Sequence, residues 1–456
     1  MRTIIKKKIL HVLESNKFRF SNNLDIWLDT HDLHISIQRI KQMLSIIPKG
    51  PIGIVCSDRI VFLSLVIAAT LDDRGIVLFG DKWTPAELEG HFQKSPCCAL
   101  ISDKPFKACR MMDPHDPIYV LEKDQLHTAS SGSWIGQYTS GTTGRSRLVI
   151  RDWEAVSEEI SALQQSMAVC EGAIFLNMTP LHHSYGFCGG MMWPFFQQYR
   201  VFLIQSFYPS YARKIWSVLE PDVVYGIPYQ YHFIADAPGP DITQPQYAFS
   251  AGAPLTRDVR QLVQDKLSLK LTNNYGSTET GTLAIYPNMT PETNNHVVGW
   301  PLQGRTFSTD EKKQLHVCSK GNMKGYYDGL EQDGPFATGD FGEIREDGCV
   351  VVLGRIKPVI TIGGIKVSIE KVENVLKSIQ GVKDVVVIPE SAEGFYELIK
   401  AFIVLEEPSI HITDKYIKEY CKLNLQPVEI PRRLIFLDKL PTSDTGKIQG
   451  KYLVEM

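Results

Sequence analysis

Short apolar runs alternate with helical stretches along most of this chain. Ile52 to Cys56 is a short apolar run, Ile60 to Leu71 has a helical pattern, and Gly75 to Phe79 is again a run rich in strand-forming residues. The order strand, helix, strand predicts a parallel sheet with right-handed crossovers. The same alternation continues from Trp153 to Asn273. The pattern therefore predicts a large α/β domain with parallel sheets.

Polar and glycine-containing loops follow several of the predicted strands. In open α/β sheets, ligands bind at the loops that leave the carboxyl ends of the strands. We therefore expect a binding site among these loops. They are Leu181 to Phe187, Ala251 to Leu255, Asn274 to Glu279 and the stretch that begins at Tyr138.

The pattern changes near residue 355. Apolar residues between Ile369 and Ile379 fall on one helical face, with Ser368 available as N-cap. Short strands surround this helix, and a second helix is predicted from Asp414 to Leu423. We predict a large N-terminal domain over residues 1–354 and a smaller, mobile α+β domain over residues 355–456.

The composition is that of an ordinary globular protein, with 43% hydrophobic and 22% charged residues among 456. A net charge of −3 gives no reason to expect nucleic acid or an anionic membrane as partner. The longest apolar run, Ile60 to Thr70, is too short to span a bilayer. The N-terminus has the pattern of an amphipathic helix, and the nine cysteines lack metal-ligand spacing. We expect a cytoplasmic protein.

One stretch carries candidate chemistry: Tyr138-Thr139-Ser140-Gly141-Thr142-Thr143-Gly144. Its residues are glycine or carry a hydroxyl group, so the backbone can fold back and present N–H and O–H donors to an anion. This composition is typical of a phosphate-binding loop. It is equally compatible with a flexible linker that continues from Ser130-Ser131-Gly132-Ser133.

Four further motifs decide between these interpretations. They are Tyr275-Gly276-Ser277-Thr278-Glu279, Thr338-Gly339-Asp340, Gly354-Arg355-Ile356-Lys357 and Pro441-Thr442-Ser443-Asp444-Thr445-Gly446-Lys447-Ile448. In this order and spacing, the five motifs resemble those of the adenylate-forming superfamily, which includes acyl-CoA and aryl-CoA synthetases, peptide-synthetase adenylation domains and luciferases. The similarity extends over nearly the whole chain and includes the segment Ser250 to Leu255.

The resemblance implies where ATP and Mg²⁺ bind. Thr278 would donate to the α-phosphate, and Glu279 offers the hard oxygen that Mg²⁺ prefers. Asp340 would accept from the ribose hydroxyls, and Arg355 would be a second ribose or phosphate contact. The other cofactor-binding candidates are Thr139, Ser140, Gly141, Thr142, Thr143, Gly144, Gly252, Ala253, Pro254, Asn274, Tyr275 and Gly276. Taken singly, Thr278, Glu279 and Asp340 are also compatible with solvated loop positions.

Lys447 is the catalytic candidate that the resemblance implies. Its ammonium would reach the α-phosphate and the attacking carboxylate, and a point charge on a flexible stem suits a group that enters and leaves a site. Lys357 matches the hinge position of the family. His183 would line the acyl site and gate the approach of the thiol. On the residues alone, Lys447 is also compatible with a solvated turn, and His183 with a surface position.

The pocket for the acid is expected among His183, Tyr185, Tyr229 and Ala251, whose neighbours include several aromatic residues. The chain also departs from the family's pattern. After the glycine-rich stretch the family usually continues with Pro-Lys-Gly, whereas this chain has Ser146-Arg147-Leu148. Arg147 keeps a positive charge but replaces a point charge with a planar fork.

The resemblance implies an ATP- and Mg²⁺-dependent carboxylate ligase. It would form an acyl-adenylate from a small carboxylic acid with release of pyrophosphate, and then transfer the acyl group to coenzyme A. Three alternatives stay open: transfer to the phosphopantetheine of a carrier protein, a nucleotide-binding protein without catalysis, and an oxygenase of the luciferase type. Either a monomer or a homodimer is expected.

Overall fold

The computed structural model describes residues 2–106, 109–113, 118–123, 132–139, 146–329, 332–355, 360–362, 365–367, 369–392, 396–406 and 412–439. The chain divides into two compact units. The first comprises Met1–Asp81, Gly90–Thr139 and Arg147–Ile356, and the second comprises the described parts of Lys82–Glu89, Ser140–Ser146 and Lys357–Met456. Within the described ranges, no helix combines the length and apolar character that crossing a bilayer requires.

The helices and strands follow one another along the chain as follows. The helices are α1 (Arg2–Ser15), α2 (Thr30–Ser45), α3 (Arg59–Leu71), α4 (Pro85–Lys94), α5 (Trp153–Ser166), α6 (Trp193–Gln197), α7 (Pro209–Leu219), α8 (Pro228–Asp236), α9 (Arg257–Leu267), α10 (Ile369–Lys377) and α11 (Asp414–Asn424), and a π-helix covers Tyr185–Met192. The strands are β1 (Arg19–Asn23), β2 (Ile26–Asp29), β3 (Ile52–Val55), β4 (Ile76–Leu78), β5 (Ala99–Ser102), β6 (Arg110–Asp113), β7 (Ile118–Glu122), β8 (Trp134–Thr139), β9 (Arg147–Asp152), β10 (Ile174–Asn177), β11 (Arg200–Leu203), β12 (Val223–Gly226), β13 (Tyr247–Ser250), β14 (Leu271–Ser277), β15 (Gly281–Met289), β16 (Val297–Pro301), β17 (Thr306–Thr309), β18 (Gln314–Cys318), β19 (Gly325–Tyr326), β20 (Phe336–Ile344), β21 (Val350–Arg355), β22 (Ile360–Ile362), β23 (Ile365–Val367), β24 (Val382–Ala392), β25 (Tyr396–Leu405) and β26 (Arg433–Phe436).

One sheet of the first unit contains the strand–helix–strand pattern seen near the N-terminus. Its described strands are ordered β19-β9-β8-β4-β3-β5-β7-β6. Strands β3 and β4 are parallel, and α3 joins them. The carboxylate of Asp58 caps α3 by accepting from the backbone N–H groups of Ile60 and Val61. Because α3 is apolar and almost wholly buried, it packs into the core beside this sheet.

The other large sheet is mixed. Its described strands are ordered β17-β18-β20-β21-β16-β15-β14-β13-β12-β10-β11-β1-β2. From β11 to β14 the pairs are parallel, whereas the strands from β15 to β17 are joined by antiparallel pairs. The predicted α/β class is confirmed, but neither large sheet is purely parallel. In this sheet the chain after β14 turns back in hairpins, and in the other sheet β5–β7, β6–β7, β8–β9 and β9–β19 are antiparallel.

Two predicted loops differ from the structure. Strand β14 continues to Ser277, so only Thr278 and Glu279 of the predicted loop Asn274 to Glu279 lie in a turn. The predicted loop Leu181 to Phe187 enters the π-helix at Tyr185. Pairing with β15 in the first place, and packing in the core in the second, overrides the weak strand and helix propensities of asparagine and glycine.

The second unit contains a small α+β core. Strands β24, β25 and β26 form one sheet, and apolar residues of α10 and α11 pack against it. Val372 and Leu376 of α10 are fully buried, as the predicted helical face requires. The presence of a smaller C-terminal α+β domain is therefore confirmed.

Candidate active site

The predicted phosphate loop connects two paired strands. Strands β8 and β9 are antiparallel, and Thr139 is the register partner of Arg147. The hydroxyl of Thr139 also donates to the backbone oxygen of Arg147 at 3.4 Å. The loop residues Ser140, Gly141, Thr142, Thr143 and Gly144 lie outside the described residues. Their attachment points are thus the ends of a hairpin, which hold the entry and exit of the loop side by side.

Thr278 and Glu279 lie in the turn between β14 and β15. The turn has three residues, and Gly281 follows with a φ of +66°, the left-handed conformation that closes such hairpins. At Gly276 a Cβ atom would lie 2.1 Å from the carbonyl oxygen of Gly281. Glycine is therefore required at both positions, one for its conformation and the other for the close approach of two backbones.

A buried ion pair between Arg151 of β9 and Glu159 of α5 supports this hairpin. Arg151 Nη1 lies 2.9 Å from Glu159 Oε2, and the two side chains are 2% and 1% exposed. Glu159 Oε1 accepts from the backbone N–H of Thr282 at 2.8 Å and from its hydroxyl at 3.0 Å. Burial by itself would raise the pKa of the Glu159 carboxyl group. The charge of the Arg151 guanidinium lowers the pKa by more than this, so the pKa lies below its usual value. A charged carboxylate therefore holds the first residues of β15.

Three segments meet at Tyr326. Strand β19 pairs with β9 through Gly325 and Tyr326. The guanidinium carbon of Arg147 lies 3.4 Å from the centroid of the Tyr326 ring. The Tyr326 hydroxyl donates to Glu279 Oε1 at 3.1 Å. The exit of the predicted phosphate loop and the predicted metal carboxylate are therefore connected through one aromatic ring.

Glu279 suits a cation that also binds phosphate oxygens. Its side chain is half-buried. In the part of the chain that the structure describes, no lysine or arginine forms an ion pair with it. Nor do the described residues contain a cluster of three or more protein ligands that would hold a metal alone. Mg²⁺ commonly binds to one or two carboxylates and to substrate phosphates, so a single carboxylate beside the phosphate loop fits this ion.

Asp340 and Tyr275, two of the predicted nucleotide-binding residues, are hydrogen-bonded to each other. The Tyr275 hydroxyl donates to Asp340 Oδ2 at 2.7 Å, and Asp340 is only 3% exposed. The motif Thr338-Gly339-Asp340 lies inside β20, where Gly339 has a φ of +77° and the backbone N–H of Asp340 donates to the hydroxyl of Thr338. Arg355 is the register partner of Asp340 on β21. Residues that the sequence places in three separate motifs thus lie on adjacent strands or hydrogen-bond to each other.

The predicted acid pocket is brought together in part. The Tyr185 hydroxyl donates to the carbonyl oxygen of Gly226 at 3.1 Å, and burial raises the pKa of this hydroxyl, so it stays protonated. Gly226 is the register partner of Ser250, and the buried Ala251 follows directly. The start of the π-helix and the ends of β12 and β13 therefore lie together, as expected for a pocket at the carboxyl ends of strands.

Two of the pocket candidates lie nearer the surface. Tyr229, on α8, is 37% exposed and packs against Phe233. His183 is exposed, and its ring centroid lies 4.2 Å from that of His182. An exposed imidazole is compatible with contact to an incoming thiol, and equally with a simple surface position.

The remaining predicted residues divide into two groups. After β13, Gly252 is exposed with a φ of +84°, followed by Ala253 and an exposed Pro254, while Asn274 is 5% exposed and donates to the Thr282 hydroxyl. Lys357 and Lys447 lie outside the described residues.

Sequence reasoning missed Tyr326, Asp328 and the pair Arg151–Glu159. The only local signal was Gly325-Tyr326-Tyr327-Asp328, an aromatic run after a glycine.

A family model described as AMP-binding enzyme matches residues 48–327, more than half of the chain. The chain belongs to this family. A second model, the C-terminal domain of AMP-binding enzymes, matches residues 371–447. The predicted membership of the adenylate-forming superfamily is therefore confirmed. The phosphate loop, the β14–β15 turn and Tyr326 all lie within or at the end of the first match.

Curated relatives are ligases that join an acid to a thiol. The chain is 26% identical over 320 residues to a 3,4-dihydroxybenzoate–[aryl-carrier protein] ligase of Bacillus anthracis, covering 70% of this chain and 72% of the relative. It is 25% identical over 374 residues to a long-chain-fatty-acid–CoA ligase of Bacillus subtilis, covering 77% and 66%. A malonate–CoA ligase of Arabidopsis thaliana is 25% identical, covering 69% and 59%. The chain thus spans less than two thirds of the latter two relatives. The predicted enzyme class, an acid–thiol ligase, is that of these relatives.

Solved structures with the same fold cover nearly the whole chain. An o-succinylbenzoate CoA synthetase (MenE) from Bacillus subtilis aligns with a TM-score of 0.83 at 19% identity, covering 98% of both chains. An amide bond synthetase (McbA) from Marinactinospora thermotolerans aligns with a TM-score of 0.77 at 17% identity, covering 98% of this chain and 99% of that one. These likenesses confirm the fold.

Proposed function

We propose that this chain is an ATP- and Mg²⁺-dependent ligase that activates a small carboxylic acid as its acyl-adenylate, releases pyrophosphate, and transfers the acyl group to the thiol of coenzyme A. The ligase relatives and the family support the first half of this proposal. In it, residues 355–456 form the mobile domain and Lys357 lies at its hinge.

The proposal depends most on the arrangement around β14. Tyr275 on this strand holds the buried Asp340, and the turn that ends the strand carries Glu279. Strand β14 and the turn that ends it therefore carry the tyrosine that bonds to the proposed ribose carboxylate and the proposed metal carboxylate. The turn also lies next to the exit of the phosphate loop, through Tyr326. Asp340 at one place and Glu279 with the exit of the phosphate loop at another suit a nucleoside triphosphate, in which the ribose and the phosphates occupy different parts of one molecule.

The residues of this chain would perform the reaction by positioning and by charge. A carboxylate and the α-phosphate are both anions, so the site must supply positive charge and oriented donors. Thr278 would donate to the α-phosphate and Lys447 would bring its ammonium to the reacting oxygens. Mg²⁺ bound at Glu279 would neutralise part of the triphosphate charge. Asp340 would orient the nucleotide through its ribose.

The acceptor has one competing candidate. A carrier protein is the acceptor in the name of the Bacillus anthracis relative, whereas coenzyme A is the acceptor in the names of the other two relatives. Both acceptors end in the same phosphopantetheine thiol. We favour coenzyme A, with His183 near the path of the thiol, and keep transfer to a carrier protein as the second candidate.

A pyrophosphate-release panel over fatty, aryl, dicarboxylic and amino acids tests the proposal, followed by thioester analysis with coenzyme A and with a phosphopantetheinylated carrier protein. We expect release with at least one acid and thioester formation on coenzyme A. No release with any acid would contradict the ligase assignment, and thioester on the carrier protein alone would favour the second candidate.

Lys447→Ala separates the two half-reactions. The variant should lose carboxylate-dependent exchange of pyrophosphate into ATP by about 100-fold or more, because it lacks the ammonium at the reacting oxygens. It should still convert a supplied acyl-adenylate to the thioester. Exchange at the wild-type rate would remove Lys447 from the mechanism.

A further inference from the structure

Arg147 occupies the position where this chain departs from the Pro-Lys-Gly pattern of its family. Its guanidinium lies over the ring of Tyr326, with 3.4 Å between the guanidinium carbon and the ring centroid. Its Nε and Nη2 atoms donate to the two carboxylate oxygens of Asp328 at 3.2 and 2.9 Å. Two of its three nitrogens are therefore directed to a protein carboxylate.

This geometry requires an arginine. A planar fork can bind both oxygens of a carboxylate and at the same time lie against an aromatic face, whereas a lysine ammonium presents a single compact charge. The fork is placed by β9 and the ring by β19, which pair with each other through backbone hydrogen bonds. The contact between Arg147 and Tyr326 is therefore fixed by the pairing of these two strands.

The ring that Arg147 covers is the one that binds Glu279. Its hydroxyl donates to Glu279 Oε1 at 3.1 Å. In the described residues Oε2 of Glu279 accepts no hydrogen bond. One carboxylate oxygen is held and the other is available to a cation.

We propose that Arg147 is a positioning residue for the metal carboxylate: it holds the Tyr326 ring by stacking and by its bidentate bond to Asp328, and the ring in turn orients Glu279 toward the cation that accompanies ATP. The inference rests on the proposed function, in which Glu279 binds Mg²⁺. It assigns Arg147 a role different from direct contact with phosphate, the use that its charge alone would suggest.

The test is binding of ATP by calorimetry, once with Mg²⁺ and once with EDTA and no divalent cation, for wild type and Arg147→Lys. The lysine variant keeps the charge and loses the fork. Because groups that orient a metal ligand typically change metal affinity by about 10- to 100-fold, we expect MgATP to bind about tenfold more weakly. Binding of metal-free ATP should change less than about twofold by the same reasoning.

Two further variants make the result specific. Tyr326→Phe keeps the ring under Arg147 but removes the hydroxyl, and should reproduce the selective loss of MgATP affinity. Arg110→Lys is the matched control, because Arg110 also pairs with a carboxylate, that of Glu122, on strands β6 and β7. This control should bind both forms of ATP as the wild type does.

The outcomes are distinguishable. Equal weakening of MgATP and metal-free ATP in Arg147→Lys would indicate direct phosphate contact and overturn the inference, as would unchanged MgATP binding in both Arg147→Lys and Tyr326→Phe. If Arg147→Lys does not fold, Tyr326→Phe alone decides. A wild-type protein that binds ATP in neither condition would instead refute the proposed function, and the inference with it.

Discussion

Glu159→Gln isolates the charge of the buried pair behind the β14–β15 hairpin. Glutamine has nearly the same shape, and its Oε1 can still accept from the backbone N–H and hydroxyl of Thr282, as Glu159 does at 2.8 and 3.0 Å. What is lost is the attraction to Arg151 at 2.9 Å. The variant therefore leaves a buried guanidinium without its carboxylate.

The magnitude follows from this geometry. At an effective dielectric constant of about 20, two unit charges at such a distance attract by roughly 6 kcal/mol. Arg151 keeps its hydrogen bonds to the carbonyl oxygens of Gly321 and Ala155, which offset part of the loss. We expect the free energy of unfolding of the first unit to fall by about 3–5 kcal/mol, the usual cost of removing one partner of a buried pair.

Urea unfolding followed by tryptophan fluorescence measures this change. Six of the seven tryptophans, all except Trp83, belong to the first unit. Glu158→Gln is the matched control, since the Glu158 side chain is 33% exposed and its Oε1 lies 3.7 Å from Arg305 Nη1. The free energy of unfolding of this variant should fall by less than about 1 kcal/mol. Equal midpoints for the two variants would refute the reasoning.

The same pair predicts a dependence on pH. The pKa of Glu159 is lowered in the folded protein from its usual 4.5. A carboxyl group of this kind contributes its full stabilisation above the unfolded pKa and loses it as the pH falls through the folded pKa. The difference in stability between wild type and Glu159→Gln should therefore be constant above a pH of about 5 and shrink below it. A difference that grows in acid would contradict this sign.

Three further predictions follow from other contacts. Tyr275→Phe removes the hydroxyl that donates to Asp340 at 2.7 Å, and should weaken AMP binding in calorimetry by about tenfold, since a hydrogen bond to a charged group contributes about 1.5–3 kcal/mol. Gly276→Ala forces the hairpin to shift, because its Cβ would meet a carbonyl oxygen at 2.1 Å, and should slow pyrophosphate exchange by about 100-fold. Lys371→Met removes the ammonium that lies 2.7 Å from Oε2 of Glu429, whose side chain is 8% exposed. The variant should lower the hydrogen-exchange protection of α10 by about 1–3 kcal/mol.

The first two of these predictions have a control within the chain, and the third has a pH dependence. Tyr208→Phe changes a 67%-exposed tyrosine and should leave AMP affinity unaltered. Gly90→Ala lies in α4 with nothing near its Cβ and should keep full exchange activity. Burial lowers the pKa of Lys371, but Glu429 and Glu87 raise it more, to above its usual 10.5. Its contribution is therefore fully present below the usual pKa of 10.5 and is lost as the pH rises through the higher pKa of the folded protein. Variants indistinguishable from these controls would contradict the corresponding prediction.

Much of the fold could be predicted from local patterns. The strand β3, the helix α3 and the strand β4 follow from alternating apolar segments, because a buried parallel strand and a buried helix each have their own length and period. The motif at Thr338 to Asp340 could be predicted to contact the nucleotide because its order relative to the other motifs matched a family. Such inferences use only neighbouring residues or a known order.

The support of the site could not be predicted in this way. Arg147 and Asp328 are 181 positions apart in the sequence, and only the pairing of β9 with β19 brings them together. Likewise Asn274 and Gly276 have weak strand propensity, yet pairing with β15 keeps them in a strand. Neither the partner strand nor the register is visible in a local pattern.

The pairing of β20 with β21 has a consequence for insertions and deletions. Asp340 is the register partner of Arg355, and the two strands are joined by the short turn between Ile344 and Val350. Because register in a hairpin is set by the length of its turn, one residue more or fewer there would pair Arg355 with a different position. Homologues with changed lengths in this turn should therefore carry a compensating change in the bulge between Phe341 and Gly342. Natural variation can therefore change the length of this turn only together with a matching change in the bulge.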